Sequence, residues 1–271
     1  MSDIVLSGGV RSNLLQLQQT SGLITQTQTR LATGKRVNSA LDNPINYFTA
    51  QGLTVRSNDL NSLLDSMSTG INTIQAANNG ITSLTKLVQS AQSLVSQAQQ
   101  TTDTNVRATL ATQFQNLLGQ IDQLSGDSGI NGVNLLGGND LTITLNETGA
   151  STVTITGVND TVAGDLSIGN AANNWAASTD ITAASTDLTA ALVTLRSQSQ
   201  ALSSNLQTVQ VRQDFTKAMI NTLQSGADSL TLADSNEEGA NLLALQTRQQ
   251  LSTTALSLAA QADQNVLRLF Q

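Results

Sequence analysis

The sequence predicts a mainly α fold: a long antiparallel coiled-coil helical bundle formed by the N- and C-terminal halves, with a small β-hairpin region in the middle. Two observations carry that reading. Apolar residues recur every seventh position near both ends, at Val10, Leu17, Ile24 and Leu31, then Leu53, Leu60, Met67, Ile74, Ile81, Val88 and Val95, and later Ile181, Leu188, Leu195, Leu202 and Val209. Stripes this long mean helices packed lengthwise, not short helices around a compact core. Composition agrees, because aromatic residues make up only 2 % of the 271 residues and charged ones 11 %. Burial must come from Leu, Ile, Val and Ala ridges rather than from rings. The same sustained periodicity argues against disorder of the whole chain, despite its many Gln, Asn, Ser and Thr.

The elements follow in order. A first helix is expected from about Ser12 to Ala32, stopped by Gly34 as a C-cap glycine. A polar connector through Asn38 and Ser39 reaches Asp42-Asn43-Pro44, where Pro44 suits the first helical position and Asp42 or Asn43 caps it. The second helix should run to about Gln100, on the order of 85 Å at ~1.5 Å per residue. Its companion seam positions are Leu63, Gly70, Ala77, Leu84, Ala91 and Ala98. Asp103 or Thr104 starts a third helix carrying Val106, Leu110, Phe114, Leu117, Ile121 and Leu124.

From Gly126 the helical period disappears. Asn131-Gly132 and Gly137-Gly138 signal turns, and Leu141 to Leu145 alternates as a strand does. Val153 to Ile155 is its expected partner across a turn at Thr148-Gly149, and Leu166 to Ile168 reads as another short strand. Helix returns from about Ser178 to Gln224, and a loop leads to a last helix from about Asn236 to Leu269. The last helix is apolar at Leu242, Leu243, Leu251, Leu256, Leu258, Ala259, Ala262, Val266 and Leu269, with Phe270 just beyond. Alone in water it would be marginal, so its stability must come from packing on neighbours.

The inventory excludes much chemistry. With no His and no Cys, most nucleophile–base pairs, thiolate sites and metal cages cannot be built. No catalytic, cofactor-binding or metal residue is assigned. Thr29 stands where a phosphate loop ending in Gly34-Lys35 would need its first glycine. Asp234 to Gly239 opens like a calcium loop, but Leu245 replaces the required glutamate. Ser235 with Glu238 reads instead as a capping box on an acidic first turn. Net charge is −7, with twelve scattered basic residues, which argues against nucleic acid as a partner. No stretch approaches a membrane span, and Met1 to Val10 lacks the basic and apolar regions of a secretory signal peptide. The triplets starting at Asn146 and Asn159 match glycosylation sequons but are too common to carry a reading.

The residues at both ends resemble one family. Leu31 to Ala40, followed by Asp42-Asn43-Pro44, resembles the N-terminal signature of bacterial flagellins, and Asn72 to Gly80 resembles its next stretch. Ile121 to Ser125 with Ile130 to Leu136 resembles the close of that helical half, and Ala260 to Phe270 resembles the C-terminal signature. The resemblance covers about residues 1–140 and 180–271. It implies a subunit that polymerises into a filament for swimming motility. Residues 1–40 and 232–271 would form an inner terminal coiled coil. Residues 44–180 and 181–224 would form an outer helical bundle, with a β region at about 138–177 and no large outer domains.

On that resemblance the partners are further copies of the chain, the flagellar type III export apparatus, a C-terminal export chaperone, and hook-junction and cap proteins at the filament ends. The location is extracellular, and no cofactor is implied. Helix-seam and filament packing falls to Val10, Leu17, Ile24, Leu31, Leu60, Met67, Ile74, Ile81, Val88, Val95, Leu188, Leu195, Leu202, Val209, Leu251, Leu258, Val266, Leu269 and Phe270. Residues 85–92 lack the arginines and glutamate of the flagellin patch that an innate immune receptor recognises, which predicts weak activation. A hook–filament junction protein shares the architecture, and a secreted coiled-coil adhesin or effector is the reading from another class.

Overall fold

The computed structural model describes residues 8–269, with the side chains at 263 and 266–269 excepted. Five helices and one hairpin appear among them: α1 (Gly8–Thr33), α2 (Pro44–Gln100), α3 (Thr104–Asp127), β1 (Leu141–Thr144), β2 (Thr152–Ile155), α4 (Ser178–Thr231) and α5 (Ser235–Leu269). A 3-10 turn, Ala172–Trp175, precedes α4. The chain divides into two compact units, residues 1–55 with 222–271, and residues 56–221.

Local chemistry sets the helix ends. Gly34 takes a positive φ of 68° and closes α1, a conformation glycine adopts without Cβ strain. Asn43 caps α2, its Oδ1 accepting the Asn46 N–H at 3.0 Å. Asp42 serves the turn before it, with Oδ2 accepting the N–H groups of Asn38 (3.0 Å) and Ser39 (2.9 Å). Those two bonds, the Ser39 one foremost, hold the Asp42 carboxyl below its ordinary value. Asp103 caps α3 through the Asn105 N–H at 2.8 Å.

Residues 56–221 hold the main core, on which the stripes of α2 and α4 converge. Met67, Ile74, Ala77, Leu84, Val88, Ala91 and Ala98 of α2, and Ile181, Leu188, Leu195 and Val209 of α4, are fully buried. The two helices run antiparallel, with Asn78 bonded to Ser199 (3.1 Å) and Ser203 (3.4 Å). Gly80 lets the loop after α3 come close, since a Cβ there would sit 2.7 Å from Leu136 Cδ1. β1 pairs antiparallel with β2, Leu141 opposite Ile155 and Thr144 opposite Thr152. Ile143 and Ile155 turn into the core. Phe114 of α3 meets Trp175 at 4.9 Å between ring centres, and neither is exposed.

Residues 1–55 with 222–271 are built around α1 and α5, which pack on each other antiparallel. The connectors beside them pair: Arg36 N–H donates to Thr231 O at 2.8 Å, and Ala233 N–H to Gly34 O at 3.0 Å. Arg30 Nη1 reaches Glu238 Oε1 at 3.0 Å, tying α1 to α5, and Glu238 is buried.

Three expectations are corrected. α4 does not stop at Gln224 but runs on to Thr231, because Leu223 and Ala227 are buried and Gly226 lies 3.3 Å, at its would-be Cβ, from Leu53. Residues 166–168 form no strand: Ser167 adopts φ 46°, which turns both Leu166 and Ile168 inward. The Ser235–Glu238 capping box is absent. Asp234 Oδ1 accepts the Asn236 N–H at 2.8 Å, and the Glu238 carboxylate turns to Arg30 instead.

Candidate assembly surface

The seven-residue stripes divide into three groups by what covers them. Leu60, Met67, Ile74, Ile81, Val88 and Val95 of α2 are buried inside the chain, as are Leu188, Leu195, Leu202 and Val209 of α4. They make the intramolecular seam of residues 56–221, assisted by small residues that let the helices approach. In α1, Val10 is buried and Leu17, Ile24 and Leu31 are half-buried. The positions between them are Asn13, Thr20 and Thr27, so this seam alternates an apolar row with a polar one. Thr20 is buried with its hydroxyl donating to Gln16 O at 2.9 Å.

The matching face of α5 is Glu238, Leu242, Leu245, Gln249, Ser252, Leu256 and Ala259, spaced alternately three and four residues apart. Leu251 and Leu258 do not belong to it. They lie 66 % and 62 % exposed, with Leu243 at 67 %, on a face that α1 leaves open. The side chains of Val266 and Leu269, and Phe270 as a whole, lie outside the described residues. The stripe in α5 is therefore two stripes: one turned to α1, and one of leucines turned outward.

Sequence reading missed a second outward row. On α2, Ile45, Phe48 and Val55 follow one another at intervals of three and seven, with Leu41 in the turn just before the helix, and all are exposed, Leu41 at 97 %. Gly52 fills the gap with open space around its Cβ position. The signal was present in the i, i+3, i+4 spacing, but the stronger Leu53–Leu60–Met67 repeat overlay it.

Polar anchoring was also hidden from a reading of apolar periods. Arg107 of α3 is buried, and its Nε donates to Thr101 O at 2.8 Å and Ala98 O at 3.3 Å, while Nη1 donates to Ala176 O at 3.2 Å. One side chain thus joins the end of α2 to the segment after Trp175. Arg56 Nε pairs with Glu147 Oε1 at 2.6 Å, holding the hairpin loop to α2. The backbone N–H of Glu147 and this guanidinium together hold the Glu147 carboxyl below its ordinary value. Among the described residues no cluster of three or more acidic groups could hold a metal ion, and no helix is long and apolar enough to cross a membrane.

Long helices closed on themselves by apolar seams, with further apolar rows left facing outward, define a coiled-coil structural subunit. Comparison with known proteins makes that class specific. The family description "bacterial flagellin N-terminal helical region" matches residues 10–140. The flagellins FljM and FljN of Caulobacter vibrioides are 30 % and 31 % identical over all of this chain and 99 % of their own lengths. A flagellin of Brucella melitensis is 24 % identical over the whole of both chains. The chain belongs to the bacterial flagellins, and it is a short member of that family, a structural subunit of the flagellar filament. These relatives favour that reading over a junction protein or a coiled-coil adhesin.

Proposed function

We propose that the chain polymerises through the apolar rows its own fold leaves open, chiefly Leu243, Leu251 and Leu258 of α5, with Leu41, Ile45 and Phe48 as a second contact. Residues 1–40 and 232–271 then form the inner layer of the filament, and residues 44–224 the outer one. The single observation that carries this is the exposure of three leucines on a helix whose other face is already occupied. Burying a leucine contributes about 1.5–3 kcal/mol, so three per subunit give a large drive repeated at every copy. The α1–α5 seam, interrupted by Asn13, Thr20, Thr27, Gln249 and Ser252, is weak by itself, because polar residues at seam positions lower stability. Neighbouring subunits supply what it lacks.

The flagellin family also supports export through the flagellar type III apparatus. A cytoplasmic chaperone would hold the C-terminal segment until then, and hook-junction and cap proteins would bound the finished filament. No residue of this chain is given a catalytic or cofactor role.

The test is a double variant, Leu251→Asp with Leu258→Asp. It should yield soluble monomer with native Trp175 emission but no sedimentable filament. Filaments of normal length by electron microscopy would overturn the assignment of this row. Deleting 1–40 and 232–271 should likewise leave a soluble, non-polymerising core.

A further inference from the structure

The loop after α3 turns on an asparagine–glycine pair, a combination that is chemically labile where the backbone lets it react. Ile130 and Val133 exchange two backbone hydrogen bonds, Ile130 N–H to Val133 O at 2.9 Å and Val133 N–H to Ile130 O at 3.0 Å. Between them stand Asn131 at φ 51° and Gly132 at φ 81°. Two successive positive φ values inside a closed two-residue loop define a type I′ turn, for which Asn-Gly is a favoured pair. Both residues are exposed. Among the described residues, no polar group of either one makes a hydrogen bond. The peptide that joins them is held only through its neighbours.

That freedom permits a reaction within the chain. The Gly132 nitrogen gives up its proton and attacks Asn131 Cγ. The N–Cγ bond forms, the Cγ–Nδ2 bond breaks, and Nδ2 leaves as ammonia with the added proton. Water then opens the cyclic imide. Cleavage of the new N–Cγ bond gives aspartate. Cleavage of the bond to the Asn131 backbone carbonyl gives isoaspartate, in which the main chain runs through the former side chain. Ring closure brings the Gly132 nitrogen into line with Asn131 Cβ, which needs ψ of about −120° in place of the ~30° of a type I′ turn. Rotation of the Asn131–Gly132 peptide makes that change, leaves the Asn131 φ positive and converts the loop to type II′, the other two-residue hairpin turn. The Gly132 φ changes sign in the process, at no steric cost for glycine. Neither Ile130–Val133 bond need break, because the rotating peptide takes part in neither.

We propose that Asn131-Gly132 is a self-modifying site of the folded chain, converting to aspartate and isoaspartate without an enzyme. A second Asn-Gly pair shows the protected case. Asn79-Gly80 lies inside α2, where the hydrogen-bond ladder fixes ψ near about −42°, and Gly80 packs against Ser128 and Leu136. At Asn131 the product acts locally. Isoaspartate adds a main-chain atom to a loop whose two closing bonds fit only two residues, and the new carboxylate lies in the cleft that Asn131 shares with Asn72, Gln75 and Asn79 of α2. This stands on the fold of residues 56–221 and is independent of the polymerisation reading.

The experiment ages the full-length monomer at mildly alkaline pH, natively and in urea. Peptides cut before aspartate, residues 127–139 and 65–102, are then followed by mass spectrometry, with fragmentation that separates aspartate from isoaspartate. The native protein should lose the Asn131 amide and keep that of Asn79. In urea, where local structure is gone, the two sites should react alike. Asn131→Gln, whose longer side chain closes an imide far more slowly, should stay unmodified at that position. Amide exchange of Val133 should quicken in the isoaspartate-bearing fraction of the wild type and not in this variant. Retention of Asn131 in the native protein, or equal native loss at both sites, overturns the proposal. A difference between the sites that persists in urea overturns it too, because flanking sequence rather than the turn would then be its cause.

Discussion

Replacing Phe114 with alanine removes the ring that Trp175 rests against, and the consequence can be worked from the geometry. Phe114 is fully buried, and its ring meets the indole at 4.9 Å with a 50° tilt. Phenylalanine-to-alanine changes in closed cores cost about 3–5 kcal/mol, through lost burial and the cavity left behind. The aromatic pairing accounts for roughly 0.5–1.5 kcal/mol of that. Phe114→Leu keeps most of the volume and forfeits mainly the ring contact, so it should cost less than about 2 kcal/mol. Trp175 is the single tryptophan, and urea unfolding followed by its emission reports on this core directly. The expected result is a midpoint shift for Phe114→Ala at least twice that for Phe114→Leu, with a red-shifted native spectrum for the alanine variant alone. A shift below 1 kcal/mol for alanine, or equal shifts for both, would refute the view that ring packing joins α3 to the segment before α4.

Three further outcomes are expected. Gly80→Ala should lower stability by about 1 kcal/mol, the ~1 kcal/mol gain in helix propensity falling short of the overpacking cost of ~1–3 kcal/mol. The new Cβ would press on Leu136 and on Ser128, whose hydroxyl is held by Leu124 O at 2.6 Å; an unchanged or raised Tm would contradict this. Arg107→Lys keeps the charge but not the fork that reaches three carbonyls, and should cost about 2 kcal/mol, since bonds to charged groups contribute ~1.5–3 kcal/mol each. A red shift of Trp175 emission should accompany it. Asp42, its carboxyl lowered by the Ser39 and Asn38 N–H groups, stabilises its turn above the ordinary value of 3.8 and loses that contribution as pH falls through its lowered one. Exchange of the Asn38 and Ser39 amides should quicken in acid for the wild type and at every pH for Asp42→Ala.

The long helices were legible because their signals agree at every level. In α2, Pro44 starts the helix, Asn43 caps it and the apolar row holds to Val95, so local propensity and tertiary packing specify one answer. The hairpin was legible from strand alternation and from Gly149, which takes φ 72° as its turn requires. Where reading failed, a tertiary contact had overruled a local cue. The helix was expected to end near Gln224, yet packing of Leu223 and Ala227 carries α4 on to Thr231. Leu166 and Ile168 looked like strand neighbours, but a left-handed Ser167 places both on the inside. Arg107, Asp160 and Glu238 are buried polar residues, and a periodicity of apolar positions contains no term for them. The outward leucines of α5 were seen as residues but not separated from the seam beside them, because Leu251 and Leu258 repeat on the same seven-residue interval as the seam.

That shared interval gives the Arg30–Glu238 pair a role as an index mark. An interface repeating every seven residues has near-equivalent alignments one repeat apart, much as a ratchet has identical teeth. Sliding α5 by one repeat along α1 would set Leu245 where Glu238 now stands, leaving Arg30 facing a hydrocarbon side chain and Glu238 without its cation. Leucines, threonines and serines along the rest of the seam would scarcely register the change. A single charge pair near the end of a repetitive interface therefore distinguishes the correct alignment from its neighbours, in each copy separately, before any copy meets another.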